Sequence, residues 1–163
     1  MEQLSNSYAY QPLNAAAKDI RVLKLYSGHD ADKISGELLT TCLDSKSPYD
    51  ALSYQWGSPT ITSTIYLGQD GELQLTTFLH EALSFIRKPD EATFIWIDAI
   101  CINQKDVSER NHQVSMMKEI YSSARTVRVW LKQEIDFSSP CFDILARLDK
   151  TSPPESLGTD ATL

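Results

Sequence analysis

Cysteine is scarce in this sequence, and its three cysteines form no CxxC pair. Cys42, Cys101 and Cys141 are odd in number and widely spaced, which is poor material for a disulfide framework or a structural zinc site. We therefore expect buried or partly buried thiols in a reducing compartment. Residues 1–4 carry neither a basic region nor an apolar run, so we expect no secretory signal and a cytoplasmic location.

Long apolar runs and clusters of basic residues are also missing. The longest apolar stretch, residues 94–102, is interrupted by Asp98 and is far too short to cross a bilayer, so we expect no membrane span. Acidic residues outnumber basic ones by 22 to 15, giving a net charge of -7, so we expect no nucleic-acid partner. P-loop, GxGxxG and GxSxG motifs do not occur.

Apolar spacing in the first half of the chain predicts strands. Alternation over residues 20–25 predicts a half-buried strand, and residues 49–57 predict a short strand ending in aromatic residues and a glycine. Residues 63–76 predict a β-hairpin, in which the Asp-Gly pair at positions 70–71 is suited to the positive φ angles of a tight turn.

The second half alternates helices with strands. Thr76 or Thr77 is expected to cap a helix that Pro89 ends. Residues 92–102 then predict a strand that is apolar on both faces, and residues 106–109 match a capping box before a second helix. The apolar stripe of that helix is expected to comprise Val114, Met117, Ile120, Tyr121 and Ala124. A strand over residues 126–131 and a last helix after Pro140 follow.

This order of elements predicts an α/β fold. Strands that alternate with helices from Tyr49 onward imply parallel pairing with right-handed crossovers, and the hairpin is an insertion into that sheet. We expect a flexible lead-in over residues 1–19 and one folded domain over residues 20–150. Residues 151–163 are expected to be a disordered tail, part of a truncated linker to further regions.

Three blocks of the sequence resemble the heterokaryon incompatibility (HET) domain family of fungi. Residues 49–57, YDALSYQWG, are similar to the family's YxALSYxWG motif, and residues 96–104 match its WIDAICINQ signature at every position. Residues 109–131 are similar to its ERxxQVxxMxxIYxxA helix and the strand after it, and IRVL at residues 20–23 is similar to the IRLL lead-in. The resemblance implies an effector that triggers programmed cell death in self/non-self recognition.

HET domains are in turn similar to TIR domains, which implies a flavodoxin-like, mainly parallel sheet flanked by helices. Some TIR domains hydrolyse NAD and others recruit partners by self-association. The sequence departs from the NAD-cleaving pattern, because Ile144 stands where the WCxxE-like segment of those domains has its catalytic glutamate. Asp143 is one position away, and Glu134 lies upstream in an expected loop.

Ligands of open α/β sheets bind beyond the carboxyl ends of the strands, where the first two motif blocks end. Hydrolysis of NAD needs a carboxylate near an oxocarbenium-like centre, and we expect Asp98 or Glu109 to supply it. We expect no tightly bound cofactor and no metal, with NAD as a substrate. The ligand-binding candidates are Tyr54, Trp56, Gly57, Cys101, Asn103, Gln104 and Arg110.

Each candidate also has a structural interpretation. Asp98 could be a buried acid that accepts backbone hydrogen bonds, Glu109 a capping residue, and Arg110 the ion-pair partner of Asp106 or Asp98. A second enzymatic hypothesis is a cysteine hydrolase that uses Cys101 with His112. The non-enzymatic hypothesis is a signalling adaptor that acts by self-association and depends on an upstream sensor or partner protein.

Overall fold

A computed structural model describes residues 8–45, 47–55, 61–69 and 71–131. The strands are β1 (Asp19–Leu25), β2 (Ser35–Cys42), β3 (Asp50–Tyr54), β4 (Ile61–Leu67), β5 (Gly71–Thr76), β6 (Thr93–Trp96) and β7 (Thr126–Trp130), and the helices are α1 (Thr77–Ile86), α2 (Asp98–Cys101) and α3 (Val107–Ser123). The chain divides into two units, Met1–Leu131 and Lys132–Leu163, and every described residue belongs to the first. The expected helix after Pro140 and the expected tail over residues 151–163 therefore lie outside the described residues.

The described strands form one mixed sheet in the order β5-β4-β2-β1-β6-β3-β7. β3 pairs in parallel with β6 and with β7, as the alternation of strands and helices predicted, and β2 pairs in parallel with β4. The β1–β2, β1–β6 and β4–β5 pairs are antiparallel. The predicted α/β class is confirmed. The sheet is mixed rather than mainly parallel, because the first two strands and the hairpin bring antiparallel pairing.

β2 was not predicted, since residues 35–42 contain too few apolar side chains for a strand pattern. Its residues are mostly exposed or half-buried, and pairing with β1 over its whole length specifies the strand instead. Gly36 is needed there for close approach: a Cβ atom at this position would lie 2.6 Å from the carbonyl oxygen of Lys24.

The predicted hairpin is confirmed as β4 and β5, but the turn differs from the prediction. Gly68 takes the positive φ, 66°, whereas Gly71 already belongs to β5 and is paired with Leu67. The turn therefore begins earlier than the Asp-Gly pair suggested. Asp70 lies outside the described residues.

The prediction of one strand over residues 92–102 was wrong beyond Trp96. β6 ends there, and residues 98–101 form the short helix α2. Asp98 occupies the first turn of this helix, where a carboxylate is stabilised by the free backbone N–H groups; its Oδ1 accepts a hydrogen bond from Ala99 N at 2.7 Å. The apolar residues that suggested a strand, Ile100 and Cys101, are instead the buried side of the helix.

Local capping chemistry starts both longer helices. Thr76 caps α1 through its side chain, which accepts from Leu79 N, and Asp106 caps α3 by accepting from Glu109 N at 3.0 Å. The stripe predicted for α3 was wrong at Val114, which is exposed. The buried residues of that helix are Gln113, Met116 and Ile120, with Met117, Tyr121 and Ala124 partly buried against the core.

The helices cover both faces of the sheet. Trp96 and Trp130 pair with β3 residues three positions apart, so the alternation of side chains places the two indoles on opposite faces. Tyr121 of α3 packs edge-on against Trp96 with ring centroids 5.4 Å apart, and Phe85 of α1 packs against Trp130 at 5.2 Å. Among the described helices, none combines the length and apolarity needed to cross a membrane.

β1 lies near the middle of this sheet and is buried on both faces. The sequence predicted a half-buried strand, but Ile20, Arg21, Val22 and Leu23 are all buried. The prediction was wrong because Arg21 was counted as a solvent-facing residue. Its guanidinium is buried because both terminal nitrogens donate hydrogen bonds to the partners described below, whereas Nε has no hydrogen-bond partner among the described residues.

Asp50 joins β3 to β7 at the amino end of the parallel strands. The residue is fully buried, and each carboxylate oxygen accepts two hydrogen bonds, from Arg125 at 3.0 and 2.9 Å and from Arg128 at 3.0 and 2.8 Å. Burial raises the pKa of Asp50, but hydrogen bonds from Arg128 and Arg125 outweigh burial and hold the pKa below its ordinary value. The register of β3 against β7 is therefore set by charge as well as by backbone pairing.

Residues 8–18 belong to the segment that we expected to be a flexible lead-in. Tyr8 N donates to Glu72 O at 3.0 Å, and Tyr10 Oη donates to Ile100 O at 2.8 Å. A 3₁₀ turn over Ala15–Ala17 follows before β1 begins. This part of the chain thus contacts both β5 and α2.

Candidate functional site

The carboxyl ends of β3 and β6 lie side by side. The two strands run parallel, with Asp50 beside Ile95 and Ala51 beside Trp96. β7 runs parallel on the other side of β3, so three strand ends meet at one edge of the sheet. The predicted proximity of the first two motif blocks is confirmed, and this edge is where α/β sheets bind ligands.

Tyr54 and Tyr121 both lie within electrostatic range of Asp98, which follows the end of β6. Burial raises the pKa of Tyr54 above its ordinary value, and the negative charge of Asp98 raises it further. The pKa of Tyr121 is raised by the same two causes, burial first and Asp98 second. One carboxylate thus acts on two phenols, one from β3 and one from α3.

Tyr121 is held in place by the sheet. Its hydroxyl donates to Leu52 O at 3.2 Å, and its ring packs against Trp96. The pattern of apolar residues predicted Tyr121 as part of the stripe of α3 but did not predict its contacts with Leu52 and Trp96. The signal was available in the Ile-Tyr pair of the third motif block, where a tyrosine is an unusual choice for a purely apolar contact.

Asn103 and Gln104, both predicted to bind a ligand, make local hydrogen bonds. Gln104 Nε2 donates to Asp98 O at 2.9 Å, and Asn103 Oδ1 accepts from Lys105 N at 3.2 Å. These contacts stabilise the turn after α2 and keep Asp98 at the strand end. The Oε1 atom of Gln104 is not used by that hydrogen bond.

The carboxylate of Glu109 is bonded to Arg21 and to the backbone of Asn103. Its Oε1 and Oε2 accept from Arg21 at 2.6 and 3.0 Å, and Oε1 also accepts from Asn103 N at 2.7 Å. Burial raises the pKa of Glu109, but these hydrogen bonds from Arg21 and Asn103 lower it below the ordinary value. The reciprocal half of the predicted capping box does not form, because the carboxylate reaches Asn103 N rather than the amide of Asp106.

Cys101 is buried under the sheet end, with 1% of its surface exposed. Burial raises the pKa of its thiol to about 12, so the nucleophilic thiolate is absent at neutral pH. Its sulfur contacts the backbone of Ile97 and Ile95. These observations oppose the cysteine hydrolase hypothesis with His112.

The remaining candidates divide into exposed and undescribed residues. Arg110 is exposed on α3, and its backbone N–H donates to Asp106 O at 2.9 Å. Trp56 and Gly57 lie outside the described residues. In the part of the chain that the structure describes, no three His, Cys, Asp or Glu side chains are grouped to hold a metal ion.

An apolar groove of about 380 Å³ lies elsewhere on the sheet, beside β1 and β2. Val22, Leu39 and Phe94 are among its lining residues, and none of the predicted site residues lines it. A polar ligand such as a nucleotide needs several oriented donors and acceptors, whereas the surface of this groove is mainly apolar and carries no charged side chain. The strand-end group is therefore the better candidate site.

Comparison with known proteins agrees with the motif blocks. The family model described as "Heterokaryon incompatibility protein (HET)" matches residues 49–160, which cover β3 and every element after it. The chain belongs to this family.

A curated relative gives the same result. The chain is 36% identical over 155 residues to "Heterokaryon incompatibility protein 6, OR allele" of Neurospora crassa. The match covers 87% of this chain but only 23% of that protein, so the chain spans about a quarter of its relative's length. No solved structure matches.

Proposed function

We propose that this domain is the effector part of a heterokaryon incompatibility protein, and that it triggers programmed cell death in fungal self/non-self recognition. Membership of the HET family and similarity to a heterokaryon incompatibility protein of Neurospora crassa support the biological role. The trigger is expected to come from an upstream sensor or partner protein.

For the chemistry behind that role, we propose hydrolysis of NAD at the strand-end group. The observation that carries this proposal is the parallel pairing of β3 with β6, which sets their carboxyl ends side by side. It is supported by the charge of Asp98, which raises the pKa values of Tyr54 and Tyr121. Aromatic rings and a carboxylate at the carboxyl ends of parallel strands suit a nucleotide with a ribose near the acid.

In the proposed reaction, water adds to C1′ of the nicotinamide ribose and the glycosidic bond breaks. The bonding electron pair goes to the pyridinium nitrogen, so nicotinamide leaves neutral, and the proton of the water is released to solvent. Positive charge develops on the ribose in the transition state, where a carboxylate stabilises it. Asp98 is the proposed carboxylate, because both oxygens of Glu109 are committed to Arg21 and Asn103.

Substitution of Asp98 tests the site. Asp98→Asn keeps the shape of the side chain and one acceptor oxygen while removing its charge. We expect nicotinamide release from NAD to fall by about 100-fold or more, the scale of losing one transition-state electrostatic contact, and death on expression in a fungal host to fall with it. Asp90→Asn is the matched control, because it removes an exposed acid that precedes β6 and lies away from the carboxyl ends of the strands. Equal NAD turnover in both variants would refute the site.

Self-association without catalysis is the second candidate function. Val107 and Val114 on α3 and Val127 and Val129 on β7 are 57, 52, 45 and 63% exposed, which is unusual for valine. Such apolar surface suits contact with a second copy of the chain. Analytical ultracentrifugation across protein concentrations, run beside the nicotinamide assay, separates the two functions. Concentration-dependent assembly without turnover, weakened by Val114→Ser together with Val129→Ser, would favour the adaptor.

A further inference from the structure

Two carbonyl groups of residues 98–104, the segment at the candidate site, are bonded by side chains from the beginning of the chain. Tyr10 Oη donates to Ile100 O at 2.8 Å, and Arg21 Nη1 donates to Cys101 O at 3.1 Å. Both carbonyls lie at the end of α2, a helix too short to satisfy its own last carbonyls. The geometry of the segment thus depends on residues distant in sequence.

A third side chain, that of Glu109 in α3, also bonds a backbone group of residues 98–104. Glu109 Oε1 accepts from Asn103 N at 2.7 Å, and the Glu109 carboxylate forms a bidentate ion pair with Arg21. The side chain of Arg21 is 2% exposed and that of Glu109 10%. Arg21 Nη2 also donates to Gln11 O, so the guanidinium contacts the N-terminal segment, α2 and α3 at once.

Such a pair is poorly explained as a source of stability alone. Removing two charges from water costs about as much as their attraction returns, and apolar replacements of buried pairs are often neutral or stabilising. The Arg21–Glu109 pair instead fixes the positions of the backbone groups that it bonds, Cys101 O and Asn103 N. The planar guanidinium has donors at fixed angles, and its two terminal nitrogens donate to the Glu109 carboxylate, to Cys101 O and to Gln11 O. The guanidinium also lies over the ring of Tyr10, with Arg21 Cζ 4.9 Å from the ring centroid.

We propose that Tyr10, Arg21 and Glu109 are positioning residues that hold residues 98–104 in one conformation, with Asp98 at the strand end. The N-terminal segment, residues 8–14, is then part of the scaffold of the site, although the family match begins only at residue 49. The proposal concerns the conformation of the segment; its consequence for activity rests on the proposed function.

The first test removes a single hydroxyl from the 163-residue chain. Tyr10→Phe deletes the bond to Ile100 O and keeps the ring over Arg21. Tyr8→Phe is the matched control, because Tyr8 is the neighbouring tyrosine of the same segment and its hydroxyl makes no hydrogen bond to any described residue. Hydrogen exchange of the Cys101, Ile102 and Asn103 amides is measured by NMR.

We expect these amides to exchange about fivefold faster in Tyr10→Phe than in the unmodified chain, the effect of losing one ordinary hydrogen bond. Amides of the β1–β2 pairing, and all amides in Tyr8→Phe, should keep their rates. Unchanged exchange in residues 101–103, or acceleration spread evenly over the sheet, would overturn the proposal.

The second test replaces the ion pair by Arg21→Met with Glu109→Leu. We expect a cooperative fold with a thermal midpoint close to that of the unmodified chain, fast exchange in residues 101–103, and a loss of death output close to that of Asp98→Asn. Full death output with fast exchange would overturn the positioning role. If Asp98→Asn itself keeps full output, the proposed site has failed, and the exchange rates still decide whether the three residues hold the segment.

Discussion

Glu109 offers a test of what burial does to an ion pair in this domain. Glu109→Ala removes two charge-assisted hydrogen bonds to Arg21, at 2.6 and 3.0 Å, and one to Asn103 N. The guanidinium of Arg21, 2% exposed, then stays buried without a counter-charge. Breaking a buried pair from one side costs about 3–5 kcal/mol. That is a large share of the ~5–15 kcal/mol by which a domain of this kind is stable.

The Lys18–Glu119 pair provides the control at a similar distance. Its N–O separation is 2.8 Å, against 2.6 Å for Arg21 and Glu109, but its side chains are 41 and 51% exposed. Both groups of the surface pair keep access to water when the partner is removed. Glu119→Ala should therefore leave the urea midpoint unchanged within error. Distance alone would predict the same loss in both variants.

The assay is urea unfolding at neutral pH followed by far-UV circular dichroism, with the slope m compared between variants. An unchanged m with a lower midpoint assigns the effect to the folded state. A loss below about 1 kcal/mol in Glu109→Ala, the range of exposed pairs, would refute the reasoning. So would an equal loss in Glu119→Ala.

Two further predictions concern the pKa values of Asp50, Glu109 and Cys101. The folded pKa values of Asp50 and Glu109 are lowered, because hydrogen bonds from arginines outweigh burial, so their stabilisation is present above the ordinary carboxyl pKa and lost as the pH falls through the folded values. The urea midpoint should stay level from neutral pH down to about 4.5 and fall below it, less steeply in Glu109→Gln; a level profile down to pH ~3 would contradict this. Because burial raises the pKa of Cys101 to about 12, iodoacetamide should leave that thiol unmodified in the folded chain and modify it in urea, as peptide mass spectrometry reports. Equal modification in both states would contradict its burial.

Sequence patterns succeeded where the determinants are local. The caps of α1 and α3 were predicted because a threonine or aspartate bonds an amide three residues along the chain. The hairpin was predicted from two apolar runs separated by a short polar turn. The neighbouring ends of β3 and β6 were also predicted, since a helix between two strands implies parallel pairing.

The errors arose where distant residues decide the structure. Apolar residues continue past Trp96, so periodicity could not indicate that α2 begins there. Arg21 is a polar residue in a strand pattern, and two of the partners that accept its hydrogen bonds, Cys101 and Glu109, lie far along the chain. Tyr10 lay in a segment without periodicity, although its hydroxyl bonds the end of α2. For the candidate site, the strand-end location could be predicted, but the residues that hold it could not.

The place of β1 in the sheet has a consequence for how the chain is made. The two strands that pair with β1 are synthesised at very different times. β2 follows β1 after a short loop, whereas the other edge of β1 stays unpaired until β6 is made and Ile95 can pair with Leu23. A nascent chain can form the β1–β2 pair early, but the long stretch of chain between β1 and β6 must close into a loop before β6 is added to the sheet. A prematurely terminated product that lacks β6 therefore also lacks the strand end at which Asp98 stands.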